Sequence, residues 1–147
     1  MKQVRLRKGK EESLKRFHPW VFSGAIAKIQ GEPQEGDLVE IFSSDGNYLA
    51  TAHYQDDSII AKVFDFERSA IDEAFWTKRF ESAINYRRNF GFFDSPDTNV
   101  FRLVNGEGDF MPGLIADFYN GVVVFQAHSV GMYRLFPQFA EIVCKLL

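Results

Sequence analysis

The sequence predicts an α+β protein: a small β pseudobarrel, a connecting helix, then a small α+β domain built on an antiparallel hairpin and a C-terminal helix. Three observations predict it. The first roughly 65 residues hold five or six short strand-like runs separated by glycine-bearing turns, a pattern that suits a barrel hiding its edges by closing on itself. Residues 69–90 then carry apolar side chains around more than half of a helix, with glycine at 91. Residues 101–126 read as strand, glycine-rich acidic loop, strand, tight turn and strand, and a helical apolar period follows.

The elements follow in order. Gln3 to Arg7 alternates polar with apolar Val4 and Leu6, a strand with basic side chains on its outer face. Lys8-Gly9-Lys10 is a turn, and Ser13 to Phe17 has room for one helical turn before Pro19. His18 to Ile26 is extended and apolar, and Gly31 to Gly36 is a loop. Asp37 to Phe42 is a strand, and Ser43 to Asn47 a hairpin turn. Tyr48 to Tyr54 and Ser58 to Phe66 are two more strands. The Ser69-x-x-Asp72 spacing predicts a capping box, with Asp in place of Glu or Gln. The helix it opens ends at Gly91, and its wide apolar circumference predicts packing between two bodies. Its Arg79, Arg87 and Arg88 read either as solvated charges or as phosphate contacts.

Phe92 to Asn99 is a linker. Asn120-Gly121 supplies the two positive-φ positions of a type I′ turn. That turn sets a register: Tyr119 opposite Val122, Phe118 opposite Val123, Ala116 opposite Phe125. One face then holds Leu114, Ala116, Phe118, Val123, Phe125 and Ala127, all apolar, and the other is mixed. Met132, Leu135, Phe136, Phe139, Ile142, Val143 and Leu146 follow helical spacing, with Pro137 predicting a kink or a start near Phe136. The end at Leu147, without a glycine cap or polar tail, reads as a cut from a longer protein. The expected boundaries are 1–68, 69–98 and 99–147.

Composition narrows the function classes. Sixteen phenylalanines predict aromatic-rich cores. No apolar run approaches the roughly 20 residues that span a membrane, and one cysteine excludes an internal disulfide and fits a reducing cytoplasm. The net charge is −3, but residues 1–18 carry seven basic side chains against two acidic ones, net +5, which leaves −8 elsewhere. That strip is either a solvated edge or a phosphate-binding patch.

Site chemistry is sparse. Gly106-Glu107-Gly108-Asp109 lacks the third glycine of a dinucleotide loop, since Met111 stands there, and a strand follows it where such a loop needs a helix. Arg102, Glu107 and Asp109 form a charged loop that either builds a site or ties itself together. His18 and Trp20 flank a proline, a placement that suits either base stacking or a tryptophan capping the barrel. His18, His53, His128 and Cys144 lack metal-ligand spacing, so no metal is expected. Cys144 has no base near it in sequence and reads as incidental.

Several blocks together are familiar. Leu6-Arg7-Lys8-Gly9, His18 to Ile26, Gly36 to Ile41 and Asp45 to Ala50 resemble a PUA domain, a small RNA-binding pseudobarrel, in the form that begins SAM-dependent 23S rRNA (cytosine-C5) methyltransferases. Phe101 to Asp109 with Pro112 to Asp117 resembles the hallmark of the central domain of those enzymes, with Phe110-Met111 bulkier than the family's glycine and leucine. The resemblance covers nearly all of the chain. It implies an RNA methyltransferase whose S-adenosylmethionine site and catalytic cysteine lie in a Rossmann-like domain beyond Leu147. Methylating cytosine C5 needs a thiolate, a base and a methyl donor, so this segment alone is expected to be inactive, with no cofactor of its own.

The implied partners are RNA, ribosomal in kind, and the chain's own catalytic domain; no membrane and no DNA are expected. Arg5, Arg7, Lys8, Lys10, Lys15 and Arg16, with His18 and Trp20, are the expected RNA surface. Arg102, Glu107 and Asp109 are expected to line a cleft facing the catalytic domain. The competing readings are a free-standing RNA- or protein-binding module and a purely structural or dimerising domain.

Overall fold

The structure, a computed structural model, describes residues 2–147. The chain divides into two compact units. One runs to Ser69 and takes in Ser129–Gly131; the other comprises Ala70–His128 and Met132–Leu147.

The first unit is one curled, six-stranded sheet. Its strands are β1 (Lys2–Leu6), β2 (Trp20–Phe22), β3 (Ile26–Gln30), β4 (Leu38–Phe42), β5 (Tyr48–Tyr54) and β6 (Ile59–Asp65), with a single-turn helix α1 (Glu12–Lys15) between the first two. The order across the sheet is β2-β6-β5-β4-β1-β3. β1 and β4 are parallel, and the other pairs are antiparallel.

This order forces the curl. β2 and β3 are the two outer strands, yet only the 3-10 turn Ser23–Ala25 separates them in sequence. Such a link reaches about 14 Å. The outer strands of a flat six-stranded sheet lie about 24 Å apart. The sheet therefore bends until its edges approach, a half-barrel rather than a closed one. The Arg7 backbone N–H donates to the Ala25 carbonyl at 2.8 Å, and the Ser23 N–H to the Ser58 carbonyl at 2.8 Å, holding the link at both sides.

Where the sequence predicts one extended run from His18 to Ile26, the structure breaks it at Ser23–Ala25 and continues it as β3 to Gln30. The core is aliphatic, with Val4, Leu6, Val21, Val39, Ile41 and Val63 packed on small alanines. Phe42 and Phe64 are also buried in this unit, but most of the phenylalanines lie in the second one.

That second unit holds a three-stranded antiparallel sheet, β7 (Val100–Asn105), β8 (Leu114–Tyr119) and β9 (Val122–Ala127), in the order β7-β8-β9. Two helices, α2 (Glu73–Asn89) and α4 (Phe136–Leu146), cover its apolar face, and a short α3 (Val130–Arg134) precedes α4. The hairpin register is the expected one, from Tyr119↔Val122 to Ala116↔Phe125. Both turn residues have positive φ, 47° at Asn120 and 92° at Gly121. Trp76, Phe80 and Phe139 meet edge to face, with Phe139 5.3 Å from Trp76 and 5.1 Å from Phe80. A bulge between Arg102 and Val104 leaves Leu103 without a cross-strand partner, so Leu103 and Val104, though consecutive, are both buried.

Two helix boundaries depart from or sharpen the expectation. The cap of α2 is Asp72, whose carboxylate accepts the Phe75 N–H at 2.9 Å. The Ser69 backbone N–H instead donates to the Asp65 carboxylate at 2.6 Å, so the expected capping box does not form. At the other end Phe90 caps the helix, and Gly91 at φ 78° turns the chain out of it as expected. Pro137 lies in the first turn of α4, where a missing N–H costs nothing, and Leu135 breaks α3 from α4.

Candidate functional site

The basic residues expected to bind RNA lie along β1, the turn after it and α1. Arg5 points away from the core, between buried Val4 and Leu6, and its backbone pairs with Lys28 on β3. Arg7 donates from Nε to the Ile26 carbonyl at 2.9 Å. Lys8 sits in a turn closed by the Lys10 N–H on the Arg7 carbonyl at 3.0 Å, with Gly9 at φ 83°. Lys15 Nζ lies 3.8 Å from Glu12, and Arg16 caps the C-terminus of α1.

Beside them the structure gathers an aromatic cluster. β2 is short, and its alternation buries Val21 while Trp20 and Phe22 share the other face. His18 joins them: its ring centroid lies 6.0 Å from Trp20 and 6.4 Å from Phe22, and Trp20 and Phe22 are 6.3 Å apart. The Trp20 backbone N–H donates to His18 Nδ1 at 3.2 Å, which leaves Nε2 as the protonated nitrogen of the neutral ring. A pocket of about 310 Å³ opens here, lined by Lys10, Ser13, Trp20 and Phe22 over Leu6 and Leu14. Phe22 does not stand out in the sequence, although its i+2 spacing from Trp20 on a strand is the available signal.

Elsewhere in this unit the polar chemistry is structural. Arg68 Nε donates to the buried Glu40 carboxylate at 2.8 Å and lies 5.1 Å above the Tyr48 ring. Burial pushes the Tyr48 phenol above its ordinary pKa, against the lowering effect of its hydrogen bond with Thr51. Asp65 accepts the Glu67 and Ser69 N–H groups at the end of β6.

The charged loop of the second unit is a 3-10 turn, Gly106–Asp109, followed by Phe110 in the left-handed region at φ 58°. Asp109 is its anchor. Its carboxylate takes both terminal nitrogens of Arg87, at 2.5 and 2.9 Å, and the Asn105 N–H at 2.6 Å. Arg87 completes the arrangement by donating from Nε to the Arg102 carbonyl at 2.9 Å. The Arg102 side chain turns to the opposite neighbour, Asp117 on β8, at 2.9 and 3.3 Å. The hydrogen bond to Asp117 and its charge raise the Arg102 pKa.

Glu107 is exposed on the turn, and Phe110 is 57% exposed while Met111 beside it is fully buried. A shallow pocket of about 390 Å³ lies between Tyr86, Asn105 and Phe110. Because the turn leads into β8, it offers no helix N-terminus to hold the pyrophosphate of a dinucleotide. Among the described residues no three His, Cys, Asp or Glu side chains are grouped as a metal ion requires, and no helix is long and apolar enough to cross a membrane.

A curled mixed sheet with a basic strip and an aromatic pocket is the first unit's signature. Residues 4–66 match the PUA-like domain family. Beyond that unit, the chain is homologous to proteins named ribosomal RNA large subunit methyltransferase I. It is 40% identical over 129 residues to the one from Vibrio parahaemolyticus, covering 87% of this chain and 32% of the relative. It is 37% identical over 147 residues to the one from Alteromonas mediterranea, covering 99% and 36%. The chain thus spans about a third of the length of the curated relatives it matches.

A solved candidate SAM-dependent methyltransferase from Streptococcus mutans shares the fold, with a TM-score of 0.84 at 20% identity over 99% of this chain and 38% of that one. A candidate methyltransferase complexed with SAH aligns with a TM-score of 0.83, also at 20% identity, over 99% and 37%.

Proposed function

We propose that this chain is the N-terminal, substrate-holding portion of a SAM-dependent ribosomal RNA methyltransferase. The observation that carries it is the 40% identity to the Vibrio parahaemolyticus relative, which runs over 129 residues and so well past the PUA-like domain. In this reading the whole protein forms 5-methylcytosine in 23S rRNA in the cytoplasm. The methyl donor and the attacking thiolate belong to a catalytic domain outside these residues. The first unit binds the RNA through Arg5, Arg7, Lys8, Lys10, Lys15 and Arg16. The turn carrying Glu107 faces the catalytic domain, with Arg102 and Asp109 beneath it.

Phosphate binding by lysine and arginine releases counterions, so affinity falls as salt rises. The test is a titration of the 147-residue chain with ribosomal RNA fragments at several salt concentrations. The triple variant Arg7→Glu, Lys8→Glu, Lys10→Glu is expected to bind more weakly. Its dependence of log K on log salt is expected to be flatter, by about 0.7 to 0.9 for each phosphate that the variant no longer neutralises. Unchanged affinity and slope in that variant would remove the patch from the reading.

A further inference from the structure

The basic strip explains attraction to any polyanion, but the pocket beside it is built for something narrower. It is lined by the aromatic residues Trp20 and Phe22, by apolar Leu6, Leu14, Val21 and Ala25, and by Lys10 and Ser13 as its polar side chains. Among the described residues, no acidic side chain lines it. Phe22 is 50% exposed, a large apolar ring kept at the surface of an outer strand. The volume of about 310 Å³ lies at the lower end of small-ligand sites, which run from about 300 to 1,000 Å³.

We propose that this pocket takes one unstacked nucleobase of single-stranded RNA, held against Trp20 and Phe22, with Lys10 on an adjoining phosphate. The inference rests on the RNA-binding reading above and specifies the form of RNA that the first unit holds. Aromatic faces beside a positive groove are how single strands are bound, because every base has a π-face. An A-form duplex keeps its bases stacked and offers phosphates and 2′-hydroxyls instead. Such a duplex engages the strip but not the pocket. The lysine and the lack of acidic lining favour a polyanion over an apolar peptide side chain as occupant. His18 packs on both rings, and its bond from the Trp20 N–H holds it in place, so the cluster is set before a base arrives.

The protein carries its own reporter. It has two tryptophans, and Trp76 is 1% exposed, so a fluorescence change on adding RNA reports Trp20. The 147-residue chain is titrated with a single-stranded RNA of about eight nucleotides and with a duplex of the same length. The single strand is expected to quench Trp20. Phe22→Ala is expected to weaken single-strand binding about tenfold, leave the salt slope unchanged, and leave duplex binding unchanged. Phe22→Tyr, which keeps the ring, is expected to bind as wild type, and an unaltered melting curve for Phe22→Ala shows that its fold is intact.

If Phe22→Ala binds the single strand as tightly as wild type, or loses duplex affinity equally, the pocket inference is overturned while the strip reading stands. If neither RNA binds, both are overturned.

Discussion

Arg87 shows how much of the second unit hangs on one side chain. It is buried to 8% exposure, and its guanidinium satisfies the Asp109 carboxylate with two nitrogens and the Arg102 carbonyl with a third. Asp109 in turn holds the Asn105 N–H. One ion pair therefore ties α2, the end of β7 and the 106–109 turn together. Removing either partner leaves the other charge buried and unpaired, a loss of about 3–5 kcal/mol in comparable buried pairs. Arg87→Ala and Asp109→Ala are each expected to lower the stability of the chain by that order in urea unfolding. The pair replaced by apolar residues, Arg87→Met with Asp109→Leu, is expected to cost less than either single change. Equal and additive losses would show that the pair does not act as a unit. The sequence offers Arg87 as one of three similar helix arginines, and nothing in its neighbours marks it as the buried one. Its partner is 22 residues away, and only the packing of α2 on β7 brings the two together. Arg79 has a different fate again: its guanidinium lies 4.8 Å from the Phe75 ring and 5.6 Å from Phe110.

At the scale of elements, local chemistry is legible in the sequence where one residue type has one use. Asn120-Gly121 specifies both the turn and every pairing of β8 with β9, because positive φ at two successive positions leaves few alternatives. Gly91 and Pro137 mark a helix end and a helix start for the same kind of reason. The start of α2 is ambiguous in sequence because Ser69 and Asp72 both suit an N-cap, and spacing alone makes them partners. Asp65, four residues before Ser69, takes the Ser69 N–H first and frees Asp72 to cap. The difference is measurable. Asp72→Ala is expected to destabilise by about 1 kcal/mol, and Ser69→Ala by less than about 0.5 kcal/mol, in thermal unfolding followed by circular dichroism. The reverse order would restore the capping box. β3 is hidden in the sequence for a non-local reason: its pairing with β1 arises from the curl, and a stretch with exposed Lys28 and Gln30 carries no strong alternation of its own.

At the scale of the whole molecule the two units divide the proposed labour, and kinetics separates them. In the proposed reading the first unit's strip and pocket hold RNA and take no part in the chemistry, so losses there are expected to be uniform binding losses that raise KM and leave kcat unchanged. The charged turn of the second unit is proposed to face the catalytic domain. Of its three candidates, Arg102 is committed to Asp117 and Asp109 to Arg87, and substituting either disturbs an ion pair that shapes the unit. Glu107 is exposed at the tip of the turn, and Glu107→Gln keeps its size while removing its charge. If the full-length protein is the RNA methyltransferase proposed above, this substitution is expected to lower kcat about tenfold, or about 1.4 kcal/mol of transition-state stabilisation, with KM for RNA unchanged. Phe22→Ala in the same assay is expected to do the opposite, raising KM at constant kcat. Wild-type turnover in Glu107→Gln would detach the turn from the chemistry and leave it a structural connection between β7 and β8. A rise in KM instead would move Glu107 to the RNA-holding side of the molecule.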